Sequence, residues 1–261
     1  MSINNETTAV ANRDLDLLLN TSLVDVVAEK IRTNIYTGKY KAGQKLIVRE
    51  LSDEFGVSHT PVKDALNRLI AEGYVEALPH RSVVVRTYSN SELIDSLQAR
   101  MMCELFFAEE IIAGAKAHPE VHEEMLSTLE KMRQLISDPE NMLFEEWVAA
   151  EQQFHFSYMQ HCGNSKVFKF YQELDTNKTT YFTYLNTNNA SLPLHTLESN
   201  IVEHQAITDA IGALNSQKFI SAISWHITRA CEDYAVDEEC QRKAEKLNKS
   251  LKRYDVYHTI G

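Results

Sequence analysis

Glycine and proline are scarce in this chain, 8 and 5 in 261 residues. That is too few for the many tight turns of an all-β sandwich or barrel, so the chain is expected to be mainly helical. Cysteine is scarce too. Cys103, Cys162, Cys231 and Cys240 stand far apart with no C-x-x-C pair and are expected to be packed or idle thiols. This usage fits the reducing cytoplasm. No apolar run approaches the roughly 18 residues of a membrane helix. The opening "MSINNETTAVANRDLDLLLN" has neither a basic n-region nor an apolar h-region, so no secretion signal is expected.

Basic charge is also in deficit, with 26 Lys and Arg against 37 Asp and Glu, a formal −11. The deficit is uneven. Residues 22–88 carry 10 basic and 8 acidic side chains, whereas residues 89–261 carry 15 and 26. Such asymmetry suggests two domains with different partners. We read residues 1–20 as a flexible extension, 21–88 as a first domain and 89–261 as a second.

In the first domain, Leu23, Val27, Ile31 and Ile35 share one helical face, with Ser22 and Asp25 as a capping-box start and Gly38 as a stop. "AGQKLIVRELSDEFG" gives a short second helix, with Val48, Leu51 and Phe55 inward and Ser52, Asp53 and Glu54 on the solvated side. In "VSHTPVKDALNRLIAEG", Val62, Ala65, Leu66, Leu69 and Ile70 form the buried face of a third helix. Its opposite face shows His59, Thr60, Lys63 and Asn67, all able to hydrogen-bond. Ser58 or Thr60 can cap it, and Pro61 is tolerated in its first turn. "YVEAL" and "VVVRT", separated by "PHRS", alternate like a hairpin. Three helices followed by a β-hairpin is the order of a winged helix-turn-helix, whose helix after the turn enters the DNA major groove.

The stretch "AGQKLIVRELSDEFGVSHTPVKDALNRLIAEGYVEALPHRSVVV" resembles the N-terminal domain of GntR-family transcription regulators. The resemblance implies DNA contacts from Arg49, from Ser58, His59, Thr60 and Lys63 at the recognition-helix start, and from His80 and Arg81 at the wing tip. Asn67 extends the exposed face one turn further. His59 and Lys63 stand where the family usually has arginines. Lysine cannot form arginine's bidentate fork to guanine, so the base preference there should differ.

The second domain reads as an all-α bundle of six or seven helices, with breaks near "HPEV", "SDPEN", "CGNS", "NNASLP" and "LNSQ". Three of its apolar seams carry ionisable groups. Glu151 and His155 lie one turn apart on the seam of "NMLFEEWVAAEQQFHFSYM". His204 lies on the seam of "LESNIVEHQAITDAIGAL", and His226 on that of "FISAISWHITRACEDY". Buried unpaired polar groups cost several kcal/mol, so these side chains should meet one another or a shared partner. Three imidazoles and a carboxylate are a donor set for a divalent metal with open coordination positions, zinc first, with nickel, manganese or iron as alternatives. Each histidine singly also fits a satisfied core residue. His161 is six residues beyond His155 and faces elsewhere, and His118, His122, His195 and His258 fall in loops or tails.

"E-x-x-x-H" ending in "GN", then "H-x-x-I-x-x-A-I", then a histidine 22 residues later, resembles the FCD-type ligand-binding domain of the FadR subfamily. Many of its members bind a metal through an Asp and three His in this order. The resemblance maps that set onto Glu151, His155, His204 and His226, with Glu151 in place of the usual Asp. It also singles out Arg100 and Glu104 on the first helix, Arg100 as a grip for an effector carboxylate; an Arg100–Glu104 pair is the alternative. The leading expectation is a homodimeric regulator, most relatives being repressors, that binds a double-stranded operator under control of a small organic or sugar acid. Dimerisation is expected because one reading head makes too few base contacts. The alternatives are a metal-dependent hydrolase fused to a helix-turn-helix, with Glu203 as base, and a pure metal sensor.

Overall fold

The computed structural model describes residues 22–79, 82–139, 141–188 and 193–252. The chain divides at Thr87/Tyr88 into two compact units.

The first unit begins with α1 (Leu23–Tyr36). The Ser22 hydroxyl accepts from the Asp25 backbone and the Asp25 carboxylate accepts from the Ser22 N–H, a closed capping box. Val27, Ala28, Ile31 and Ile35 bury its inner face. α2 (Val48–Phe55) ends on Gly56, whose φ of 67° is the left-handed conformation that closes a helix without a Cβ penalty. α3 (His59–Ala71) buries Val62, Ala65, Leu66 and Leu69 at 2% exposure or less and packs on α1 and α2. Ser58 holds the N-cap backbone conformation but makes no side-chain cap.

β2 (Val75–Leu78) and β3 (Ser82–Val85) pair antiparallel, with Val75 opposite Val85. A strand absent from the sequence reading, β1 (Lys45–Leu46), joins the other edge of β3 and places Leu46 opposite Val83. Two residues carry no legible alternation; β1 exists because β3 offers it an edge. Ser52 corrects a second expectation. It is buried rather than solvated, its hydroxyl bonded to the Val48 carbonyl one turn back, which satisfies its one donor inside the unit.

The second unit contains nine helices among the described residues, more than the six or seven expected: α4 (Asn90–Phe106), α5 (Ala108–Ala117), α6 (Glu120–Ser137), α7 (Phe144–Met159), α8 (Ser165–Leu174), α9 (Thr176–Asn188), α10 (Leu194–Gly212), α11 (Ser216–Asp233) and α12 (Glu238–Lys252). The extra breaks fall at Phe107, shared as a cap by α4 and α5, at Asp175 in a left-handed conformation between α8 and α9, and after Asp233. None coincides with a glycine or proline. α6 packs on α7 and α10, α10 on α11, and α11 on α4. Leu93, Ile111, Met125, Phe154, Ile207, Phe219 and Ile223 form the core between them. The site grows out of this core, because α4, α7, α10 and α11 each turn a polar residue toward the others.

Candidate functional site

His155 on α7, His204 on α10 and His226 on α11 come together with one ring nitrogen of each within 4.8 Å of the others. All three are at most 5% exposed. The Nε2 atoms of His155 and His204 are 3.0 Å apart. Glu151 joins them as the turn spacing requires, its Oε2 lying 3.5 Å from His204 Nε2 and 3.8 Å from His155 Nε2. Its Oε1 has no hydrogen-bond partner among the described residues.

Two of the imidazoles are held from behind. His155 Nδ1 is 2.7 Å from the Tyr158 hydroxyl, which donates to Glu104 Oε1 at 2.7 Å. Tyr158 must therefore accept from His155, which puts the proton on Nδ1 and leaves Nε2 as the acceptor, with Arg100 Nη2 2.9 Å from it. His226 Nδ1 is 2.7 Å from Glu203 Oε2, a carboxylate that accepts only, so the lone pair of this ring is on Nε2. A carboxylate behind the distal N–H is the arrangement that orients metal-ligating histidines and raises their basicity. Burial, reinforced by Arg100, holds His155 and His226 well below the usual histidine range, and burial with His226 does the same for His204. Three neutral imidazoles brought this close suit a cation, and Arg100 already sets a positive group against His155.

Glu151 is pushed up to about 8, chiefly by burial and further by Glu203, against the pull of Arg100. Such a carboxyl gains most from a cation that would take the place of its lost water. The donor types, the two backing carboxylates and the orphaned Glu151 Oε1 thus fit a divalent ion held by Glu151, His155, His204 and His226.

Arg100 and Glu104 form a buried pair on α4, Nε to Oε1 at 3.2 Å, yet the guanidinium also reaches into the cluster, with Nη2 2.9 Å from His155 Nε2, the ring nitrogen that can accept. The two readings of this pair are therefore compatible. Glu104 Oε1 additionally accepts from the Tyr171 hydroxyl at 2.5 Å. Two residues of this architecture are absent from the sequence analysis, and a third, Tyr158, is legible there only as a seam position. Tyr171 comes from α8, and Arg229 lies one turn after His226 on α11, where it bonds both oxygens of Glu203 and the side chain of Asn200. The only sequence signals were spacings: Tyr158 three residues after His155, and Arg229 three after His226. Glu203 is accordingly committed to His226 and Arg229 and is no free general base, which removes the residue on which the hydrolase reading leaned.

The other histidines stay outside the cluster. The His118 and His161 rings contact each other with centroids 4.3 Å apart. His122 is half-buried on α6 against Gly212 rather than in a loop, a correction to its expected place. His195 is exposed within α10, and His258 lies outside the described residues.

In the first unit, Ser58, His59, Thr60, Lys63 and Asn67 are all exposed along the start and outer face of α3, and Arg49 is exposed on α2. Arg68, further along α3, is tied to Asp25 and Glu72. Arg49 and Lys63 make no ion pair among the described residues. His80 and Arg81 lie outside the described residues.

A winged three-helix head and a separate all-helical unit around a histidine cluster define a two-domain regulator class. Residues 23–85 match the model of the bacterial regulatory proteins of the gntR family, and residues 95–229 match the FCD domain. The chain belongs to the GntR family, in its FadR-type branch with an FCD domain, and is a DNA-binding transcriptional regulator rather than an enzyme. It is 23% identical to the HTH-type transcriptional repressor GlaR of Escherichia coli K12, over 76% of this chain and 89% of that protein. It is 25% identical to a "Probable D-xylose utilization operon transcriptional repressor" of Paenarthrobacter nicotinovorans, over 80% and 88%. The solved structure of E. coli McbR/YncC shares the fold, with a TM-score of 0.61 at 19% identity over 82% of this chain and 97% of that one.

Proposed function

We propose that this regulator acts as a cytoplasmic homodimer whose operator affinity is set by a small carboxylate-bearing metabolite bound at a divalent metal centre in the FCD domain. The observation that carries the reading is the convergence of three buried, neutral imidazoles, two of them backed by the Tyr158–Glu104 and Glu203–Arg229 relays. Glu151, His155, His204 and His226 would hold the ion, zinc, nickel, manganese or iron. A bound ion of this kind offers open coordination positions to a ligand carboxylate.

The chain's own residues supply the rest of the recognition. Arg100 keeps a positive group at the cluster that an organic acid or sugar acid neutralises, while Glu104 holds the guanidinium in place. The four ligands and Arg100 come from α4, α7, α10 and α11, so a bound acid ties four helices together. It changes DNA affinity only by preferring one arrangement of the protein over another. On the DNA side, Arg49, Ser58, His59, Thr60, Lys63 and Asn67, with His80 and Arg81 of the wing, are the residues we assign to the operator. Repression is the direction we favour, since two of the relatives carry that description in their names.

A thermal-shift screen of organic and sugar acids against metal-loaded protein identifies the effector. The best hit is then titrated onto operator-bound protein. Operator affinity should change about 5- to 150-fold, and His155→Ala should abolish the response while DNA binding persists. A response in His155→Ala equal to the wild type would place the effector elsewhere.

A further inference from the structure

Met102 and Phe106 stand one turn apart on α4 and are 62% and 77% exposed, the two most exposed large apolar side chains among the described residues. Both border the same cavity, about 500 Å³, on the surface of the second unit. Met101 and Leu105 of α4, Ile220 of α11, and Leu247 and Leu251 of α12 wall it with apolar surface. Phe107, itself packed on the core, props the Phe106 ring, with centroids 5.0 Å apart. A phenyl ring held out in water beside an apolar hollow is costly in a monomer and marks a contact surface.

The shape of this face selects the partner. A projecting ring and a hollow side by side are self-complementary under a two-fold axis, because one operation seats both rings in both hollows. Charge points the same way. On the α12 rim Lys246 is exposed one turn before the lining residue Ser250. On the α11 rim Glu109 is exposed and accepts from Ser216 Oγ at 2.7 Å, beside the lining residue Gln217. A two-fold axis running along the cavity brings each basic rim to the acidic rim of the other copy.

We infer that this face is where two copies of the chain meet, each seating Phe106, with Met102 beside it, in the cavity of the other. The inference rests on the homodimer reading above and deepens it by locating the interface. α4 also carries Arg100 and Glu104 on its buried face, so the helix that meets the second copy is one that reaches the histidine cluster.

Sedimentation velocity of the full, zinc-loaded chain over a concentration series tests it. The wild type should sediment as a dimer. Phe106→Glu removes the ring and leaves the cavity open, whereas Ser250→Trp fills the cavity and leaves the ring. Each should weaken self-association about 30-fold or more, the scale of losing a central aromatic anchor, with helical circular dichroism retained. Mixing the two variants restores one ring and one open cavity across the pair, which neither variant has with itself. The mixture should therefore associate more tightly than either variant alone, a rescue that a misfolded variant could not give. A wild-type dimer indifferent to both substitutions, or a mixture no tighter than its components, would overturn the interface and leave the homodimer reading standing. A wild type that sediments as a monomer would overturn both together.

Discussion

Glu203→Gln isolates the relay behind His226. The carboxylate is 1% exposed and accepts from His226 Nδ1 at 2.7 Å while both its oxygens bond Arg229. Glutamine keeps the shape and one acceptor oxygen but removes the charge. A charge-assisted hydrogen bond is roughly twice as strong as a neutral one, so the imidazole loses both orientation and basicity at Nε2. Loss of such a backing group typically weakens metal binding about 10- to 100-fold, or about 1.4 to 2.7 kcal/mol. Folding should suffer less. Arg229 retains Asp233 and Asn200 and its side chain is 24% exposed, so a stability loss of about 1 kcal/mol is expected. The assay is a competition titration against a chelator of calibrated affinity, with thermal unfolding of the metal-free protein run in parallel. Metal affinity within twofold of the wild type would mean that Glu203 serves only to balance Arg229, and the orienting role would fall.

Three further outcomes follow from the same structure. Lys63→Ala should weaken operator binding by about 1–3 kcal/mol with folding intact, because the side chain is exposed on α3; unchanged anisotropy at fixed salt would remove α3 as the reading helix. Tyr158→Phe deletes the hydroxyl between His155 and Glu104, and chelator competition should show metal affinity reduced about tenfold, the low end of what such backing groups contribute. Gly114→Ala should destabilise by about 1–3 kcal/mol in urea unfolding, despite the roughly 1 kcal/mol gained in helix propensity. A Cβ at this position would sit 2.4 Å from the His161 carbonyl oxygen, which is backbone and cannot swing aside.

What could be read from the sequence divides along a physical line. Amphipathic faces depend on a period of 3.6 residues, so the buried sides of α1 and α3 and the seam positions of Glu151, His155, His204 and His226 were visible from spacing alone. The capping box at Ser22 and Asp25 was visible for the same reason: it is local. Features imposed by distant neighbours were not. β1 exists only through pairing with β3, Lys45 opposite Val84, 39 residues later. Tyr171 bonds Glu104 from 67 residues away, and Arg229 bonds Glu203 across 26. Helix ends at Phe107 and Asp175 lack a glycine or proline to announce them; packing sets them. Ser52 was misplaced because a serine on a short helix reads as surface until its hydroxyl finds a carbonyl within the same turn.

The claim on which the functional reading stands is that the three histidines are ligands and not core residues. Elemental analysis of tag-free protein, dialysed after loading with zinc, measures it directly. The account predicts about one divalent ion per chain in the wild type and none in His204→Ala combined with His226→Ala, with the helical circular dichroism of the double variant retained. A stoichiometry untouched by the double substitution, or a wild type that retains no ion, would contradict it.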